Sequence, residues 1–302
     1  MSHTYARQPY SQVIHELCNA LNWVNALGIT TAGRRHERYL RTIKEVDAFL
    51  KDYQSTQHSA RALSRKAAMP VMEANQLVRI WKGFRNADSQ GLRTRLSEVV
   101  KGPETQGDES AKRSSNRARN VAVELDLAAP AAATGLRVDL DSETDIVIHL
   151  DGMQLFIECK RPLSPKRLPQ RINEAANQLR RRLRQTDLHA YGMIGLSVGQ
   201  LYWPKGIVLR MSDPPELVRE LRGWFLDFGD TYSHLWDFSA SDRIAGVLVQ
   251  FRFLCEFADG EPMTSGNELP IFSVYPEGSA VLEDLNLLKR RMLQGLDILG
   301  RP

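Results

Sequence analysis

The chain has 302 residues, 42% of them hydrophobic and 25% charged, with a formal net charge of +4. That length allows one to three domains, and the composition is that of an ordinary globular protein, which excludes a fibrous or low-complexity chain and leaves any basic character to local distribution. Cys18, Cys159 and Cys255 stand far apart without CxxC spacing, which excludes a disulfide frame and a thiolate zinc site.

The opening MSHTYARQPYSQVIHEL has no apolar leader, and no later window approaches the roughly 18 apolar residues of a membrane span, so a cytoplasmic protein is expected. Residues 1–100 are expected to form a helical N-terminal domain. In ERYLRTIKEVDAFLKDY, Leu40, Ile43, Val46 and Leu50 recur at three- and four-residue steps and make one apolar stripe. SARALSRKAAMPVMEANQLVRIWKGF predicts two helical pieces divided near Pro70. With Leu63, Met69 and Leu77 at core-like positions and Arg79 and Lys82 beyond them, it resembles a helix-turn-helix faintly. The turn lacks its usual glycine, so a plain helical bundle is the stronger expectation.

KGPETQGDESAKRSSN, residues 101–116, is polar and poor in aliphatic residues, and is read as a linker and domain boundary. Residues 117–302 then change period. RARNVAVELDLAA predicts a helix ending at Pro130. LRVDL, the hairpin TDIVIHLDGMQLFIECK and YGMIGLSVG predict strands, with a helix over LPQRINEAANQLRRRLRQ before the last. The order helix, three strands, helix, strand describes a mixed α/β core. Beyond it come a strand in GIVLRM, a helix in PELVRELRGWFLDF, and a hairpin of RIAGVLVQFRFLCEF with LPIFSVYP. The closing amphipathic helix AVLEDLNLLKRRMLQGLDIL serves packing or dimerisation. Trp203, in QLYWP, is read as a core residue.

The hairpin carries the chemistry. Asp151-Gly152 is a two-residue turn signal, because a type I′ turn needs positive φ at both positions. The register then pairs Leu150 with Met153, Ile148 with Leu155 and Val147 with Phe156, and it sets Asp145 opposite Glu158. Side chains alternate along a strand. One face therefore holds Ile146, Ile148, Leu150, Met153, Leu155, Ile157 and Cys159, fit for burial under a helix. The other holds Asp145, Val147, His149, Phe156, Glu158 and Lys160, His149 being read as structural or on the substrate side. Two carboxylates so close repel unless one keeps a proton or a cation joins them, and carboxylate oxygens suit magnesium.

Asp145-(x)12-Glu158-x-Lys160 on a hairpin between two helices resembles the PD-(D/E)XK phosphodiesterases, the restriction-endonuclease-like superfamily. The resemblance covers about residues 115–205, with Thr144 where the motif's proline would stand. It implies a restriction-endonuclease-like mixed sheet flanked by helices, and an Mg²⁺- (or Mn²⁺-) dependent nuclease in bacterial restriction or antiviral defence, with DNA favoured as substrate and RNA left open by the residues. It further implies Asp145, Glu158 and the Cys159 backbone carbonyl as metal ligands, Lys160 as the residue that orients or deprotonates water, and Glu124 as an added acid from the preceding helix. Gln178 would face the substrate from the following helix.

From Lys160 to Arg184 the chain has Lys160, Arg161, Lys166, Arg167, Arg171, Arg180, Arg181, Arg182 and Arg184 against the single acid Glu174. That excess suits contacts to a phosphate backbone, with Arg161, Arg171 and Arg182 beside Gln178 as nucleic-acid-binding candidates. The sequence has no nucleophile elbow and no P-loop, so any ATP-driven step would fall to a partner protein. A catalytically silent nucleic-acid-binding or assembly protein with the same core is the alternative.

Overall fold

In the computed structural model the described residues are 5–7, 9–52, 57–104, 113–150, 152–186, 189–202, 208–257 and 264–300. The turn residue Asp151, residues 105–112 of the linker, Trp203 and the side chain of Leu63 lie outside them.

Four helices come first: α1 (Tyr10–Ala26), α2 (Arg35–Asp52), α3 (Gln57–Phe84) and α4 (Gln90–Val99). The sequence predicts a division at Pro70, yet α3 is continuous with Pro70 inside it. A proline in a helix interior removes one hydrogen bond and costs about 3 kcal/mol. Here the residues on both sides of it, among them Ala67, Ala68, Val71, Ala74 and Leu77, are anchored in one buried core that offsets the cost. Arg79 and Lys82, which a helix-turn-helix would present outward, instead turn inward: Arg79 pairs with Asp126 and Lys82 with Glu16, both at 2.8 Å.

The next helix, α5 (Arg113–Ala133), likewise passes through its expected stop at Pro130. Residues 121–131 are all buried, because α5 is covered by α3, α4, the sheet and the last helix, α9 (Ala280–Gly300). A helix enclosed on all sides has no single apolar stripe. The contact with α9 requires glycine: a Cβ at Gly295 would lie 2.0 Å from the Pro130 carbonyl oxygen.

The sheet is mixed. Strands β2 (Arg137–Asp139), β3 (Ile146–Leu150) and β4 (Met153–Lys160) run antiparallel in sequence. After α6 (Leu168–Leu183), β5 (Ala190–Ser197) lies parallel to β4, as a crossover through a helix demands. The order α5, β2, β3, β4, α6, β5 is the helix, three strands, helix, strand expected. Beyond α7 (Gly199–Tyr202) and α8 (Pro214–Tyr232), the long β7 (Ile244–Phe257) runs parallel to β5 along its first half. Its second half pairs with parallel β6 (Val208–Met211) and antiparallel β8 (Thr264–Glu268). The expected hairpin partner, β9 (Ile271–Ser273), takes the first half of β7, and β1 (Tyr5–Arg7) edges β8. Strands β1 and β8 have no forecast in the sequence: YAR and TSGNE lack apolar alternation.

The hairpin β3–β4 lies between two buried clusters. Ile146, Ile148, Leu150, Met153, Leu155 and Ile157 join the cluster around α5. Val147 and Phe156 pack on the opposite side with Leu168, Ile172, Ala175, Ala176, Leu179 and Leu183 of α6, the six positions its periodicity selects.

Candidate functional site

The hairpin register brings the acidic residues together. Leu150 pairs with Met153, Ile148 with Leu155, Val147 with Phe156 and Ile146 with Ile157, and Gly152 has φ +79° at the turn. One step further, Asp145 has left the strand, and its side chain completes the ladder: Oδ2 accepts the Cys159 backbone N–H at 2.7 Å. This fixes the Asp145 carboxylate beside Glu158, with the two carboxyls within hydrogen-bonding reach. Lys160, two residues on and therefore on the same face, brings Nζ to 3.4 Å from Glu158 Oε2.

Glu124 reaches the same cluster from α5 and has a partner the sequence did not indicate. Arg95 of α4 donates Nη1 to Glu124 Oε2 and Nε to the Leu140 carbonyl at 3.2 Å. Asp126, two residues beyond Glu124, turns away from the cluster. It is fully buried and accepts from Arg79, from Gln76 at 3.2 Å and from Gln250 at 3.0 Å, so it holds α3, α5 and β7 together.

Three carboxylates therefore face two cations, Arg95 and Lys160. Burial, and then the neighbouring Asp145 carboxylate, raises both Glu124 and Glu158 above the ordinary carboxylate range, Glu158 to about 7. The proton that this imbalance retains is held within the cluster, where both Glu124 and Glu158 are shifted toward the protonated form. Burial and the same carboxylates push the Cys159 thiol well up, which keeps it a neutral packing residue.

Among the described residues no group of three or more His, Cys, Asp or Glu side chains is placed to hold a metal ion. The expectation that Glu124 adds a third carboxylate ligand meets this obstacle, because Arg95 already claims one of its oxygens. The remaining donors, the Asp145 and Glu158 carboxylates with the Cys159 carbonyl, are hard oxygens. They suit Mg²⁺, which is commonly held by one or two carboxylates with waters and substrate phosphates filling its shell.

The cluster opens into a groove of about 1110 Å³ between α5 and α6. Glu124, Asp145, Cys159 and Lys160 line its acidic end, while Glu158, 6% exposed, is not on its wall. Arg161, Arg171 and Gln178, the expected nucleic-acid contacts, are also on the wall. Arg161 Nε donates to Gln200 Oε1 at 3.1 Å, and Gln200 is tied to the Pro162 carbonyl at 2.6 Å. Arg182 does not reach the groove. It pairs with Glu143 at 3.3 Å and lies 5.7 Å from the centre of the Phe156 ring, which holds it toward the hairpin. His149 is likewise absent from the wall.

Arg167 and Arg181 of the basic run also line the groove, as do Asn116, Asn120 and Asn177, which sequence reasoning missed as site residues. The signal was present for α5, where Asn116, Asn120 and Glu124 fall at four-residue steps on one helical face. Lys160, Arg161, Arg167, Arg171 and Arg181 stand against Glu124, Asp145 and Glu174 on this wall, so the groove is basic beyond its acidic end. Comparison with known proteins gives no match to the chain: no family model, no curated protein and no solved structure.

Proposed function

We propose that the protein is a metal-dependent nuclease of the restriction-endonuclease-like kind, hydrolysing phosphodiester bonds with Asp145, Glu158 and Lys160 at the reacting end of the groove. The observation that carries this reading is the convergence of Asp145, Glu124 and Lys160 at one end of a groove whose other walls are basic, with Glu158 buried behind them against Lys160. The order of strands and helices around the hairpin, and the burial of α6 by the six expected residues, support the same reading.

Asp145 and Glu158, with the Cys159 carbonyl, would hold Mg²⁺ or Mn²⁺ in place of the proton the cluster otherwise retains. The chemistry such an ion supplies is activation of a water and neutralisation of charge on the phosphate. Lys160 orients that water and offsets negative charge that grows on the phosphoryl oxygens, its ammonium being held by Glu158. Arg161, Arg167, Arg171 and Arg181 grip the backbone on either side, and Asn120, Asn177 and Gln178 meet it with neutral donors and acceptors. DNA is the substrate expected, in a restriction or defence setting.

The test is incubation of the full chain with plasmid, single-stranded DNA and RNA in Mg²⁺, Mn²⁺ or EDTA, beside Lys160→Ala and Asp145→Asn. Metal-dependent cleavage that falls by about 100-fold or more in Lys160→Ala is the expected result. Binding without cleavage, equal in all three proteins, would replace the nuclease with a silent nucleic-acid-binding protein.

A further inference from the structure

The acidic cluster has a permanent cation built into it from outside the hairpin. Arg95 lies 29 residues before Glu124, on another helix, and both side chains are largely buried, with 15% and 11% of their surface exposed. Its guanidinium is held twice, by the Leu140 carbonyl and by Glu124. The helix that carries it is pinned to the β2–β3 connection: a Cβ on Gly91 would lie 2.4 Å from Asp141 Oδ1 and 2.6 Å from the Leu140 carbonyl oxygen. Arginine does not give up its proton in proteins, so this charge stays in place at every working pH.

We propose that Arg95 stands in for a second divalent ion, so that this site binds one metal ion rather than two; the inference rests on the metal-dependent reading above. The charges support it. Counted with every carboxylate stripped of its proton, as a bound ion requires, Glu124, Asp145 and Glu158 against Arg95 and Lys160 leave one net negative charge. One divalent ion turns that into one positive charge, which the single negative charge of an entering phosphodiester neutralises. A second divalent ion would leave two uncompensated positive charges in a largely buried site, where unpaired charge is costly. Two-metal sites also need carboxylates shared between ions, and Arg95 occupies an oxygen of the one carboxylate that lies beyond the Asp145–Glu158 pair. Arg95 is thus a positioning residue, acting on the ions through Glu124.

The test counts Mn²⁺ bound per full-length chain by the electron paramagnetic resonance signal of the free ion, with circular dichroism on each protein to verify folding. Wild type and Arg95→Lys should each bind one ion, and Arg95→Gln, one positive charge poorer, should bind two. Two ions on the wild type would overturn the proposal. One ion on both wild type and Arg95→Gln would remove Arg95 from the role while leaving the metal-dependent reading intact. No ion on the wild type would remove both. Should Arg95→Gln fail to fold, Glu124→Gln decides: it weakens the first ion by less than about tenfold if Arg95 owns that carboxylate, and by about 100-fold or more if Glu124 is a ligand, which overturns the proposal.

Discussion

At the scale of single residues, Glu158 shows what burial does to a carboxyl. Its carboxyl is raised from an ordinary 4.5 to about 7 by desolvation first and by the Asp145 carboxylate second. An acid whose folded value exceeds its unfolded one binds its proton more tightly when folded, so folding stability falls as pH rises from about 4.5 to 7. Glu124, shifted in the same direction, extends that fall to higher pH. A divalent cation competes with this proton and binds best once the proton has left. Thermal unfolding in Mg²⁺ and in EDTA should therefore show a metal-induced rise in Tm that is about 2–4 °C larger at pH 8 than at pH 5. An equal rise at both pH values would place the ion away from the Asp145–Glu158 pair.

At the scale of elements, α5 is the piece that the rest of the molecule is built around, and Asp126 is its main polar tie. Replacing Asp126 with Ala would leave Arg79 with a buried, uncompensated charge and strip partners from Gln76 and Gln250. The expected loss in urea unfolding is about 3–5 kcal/mol. A loss below about 1 kcal/mol would mean that Arg79 finds solvent or another partner when Asp126 is gone. The same helix marks where sequence reading stops. The hairpin register was legible because turn residues and alternation are local signals, and so was α6, which has one buried face. For α5 the sequence pointed to a stop at Pro130, whereas α3, α9 and the sheet enclose it and carry it to Ala133. Packing from distant segments overrides a proline's local preference, and no window around Pro130 contains that information. The acidic cluster divides in the same way. Asp145, Glu158 and Lys160 lie within 16 residues and follow from the register. The Arg95–Glu124 contact joins two helices and has no local trace in the sequence.

At the scale of the whole molecule, a net charge of +4 is too small to make the protein a general polyanion binder, so the proposed affinity for nucleic acid would have to come from where the charges sit. Several arginines of the basic run are already committed: Arg171 to Glu174 at 2.7 Å, Arg180 to Asp242 at 2.9 Å and Arg182 to Glu143 at 3.3 Å. Arg167 and Arg181 are exposed, line the groove, and have no ion pair among the described residues. They are therefore the groove charges most available to phosphates. Each phosphate contact contributes about 0.9 to the slope of log affinity against log salt on duplex DNA. The double variant Arg167→Ala/Arg181→Ala should flatten that slope by about 2 and weaken binding alike for unrelated sequences. Arg180→Ala/Arg182→Ala, one residue to either side of Arg181 but outside the groove, should leave the slope nearly unchanged. Fluorescence anisotropy across a salt series measures both. If the second pair flattens the slope and the first does not, nucleic acid crosses α6 outside the groove, and the acidic cluster is not where it is cut.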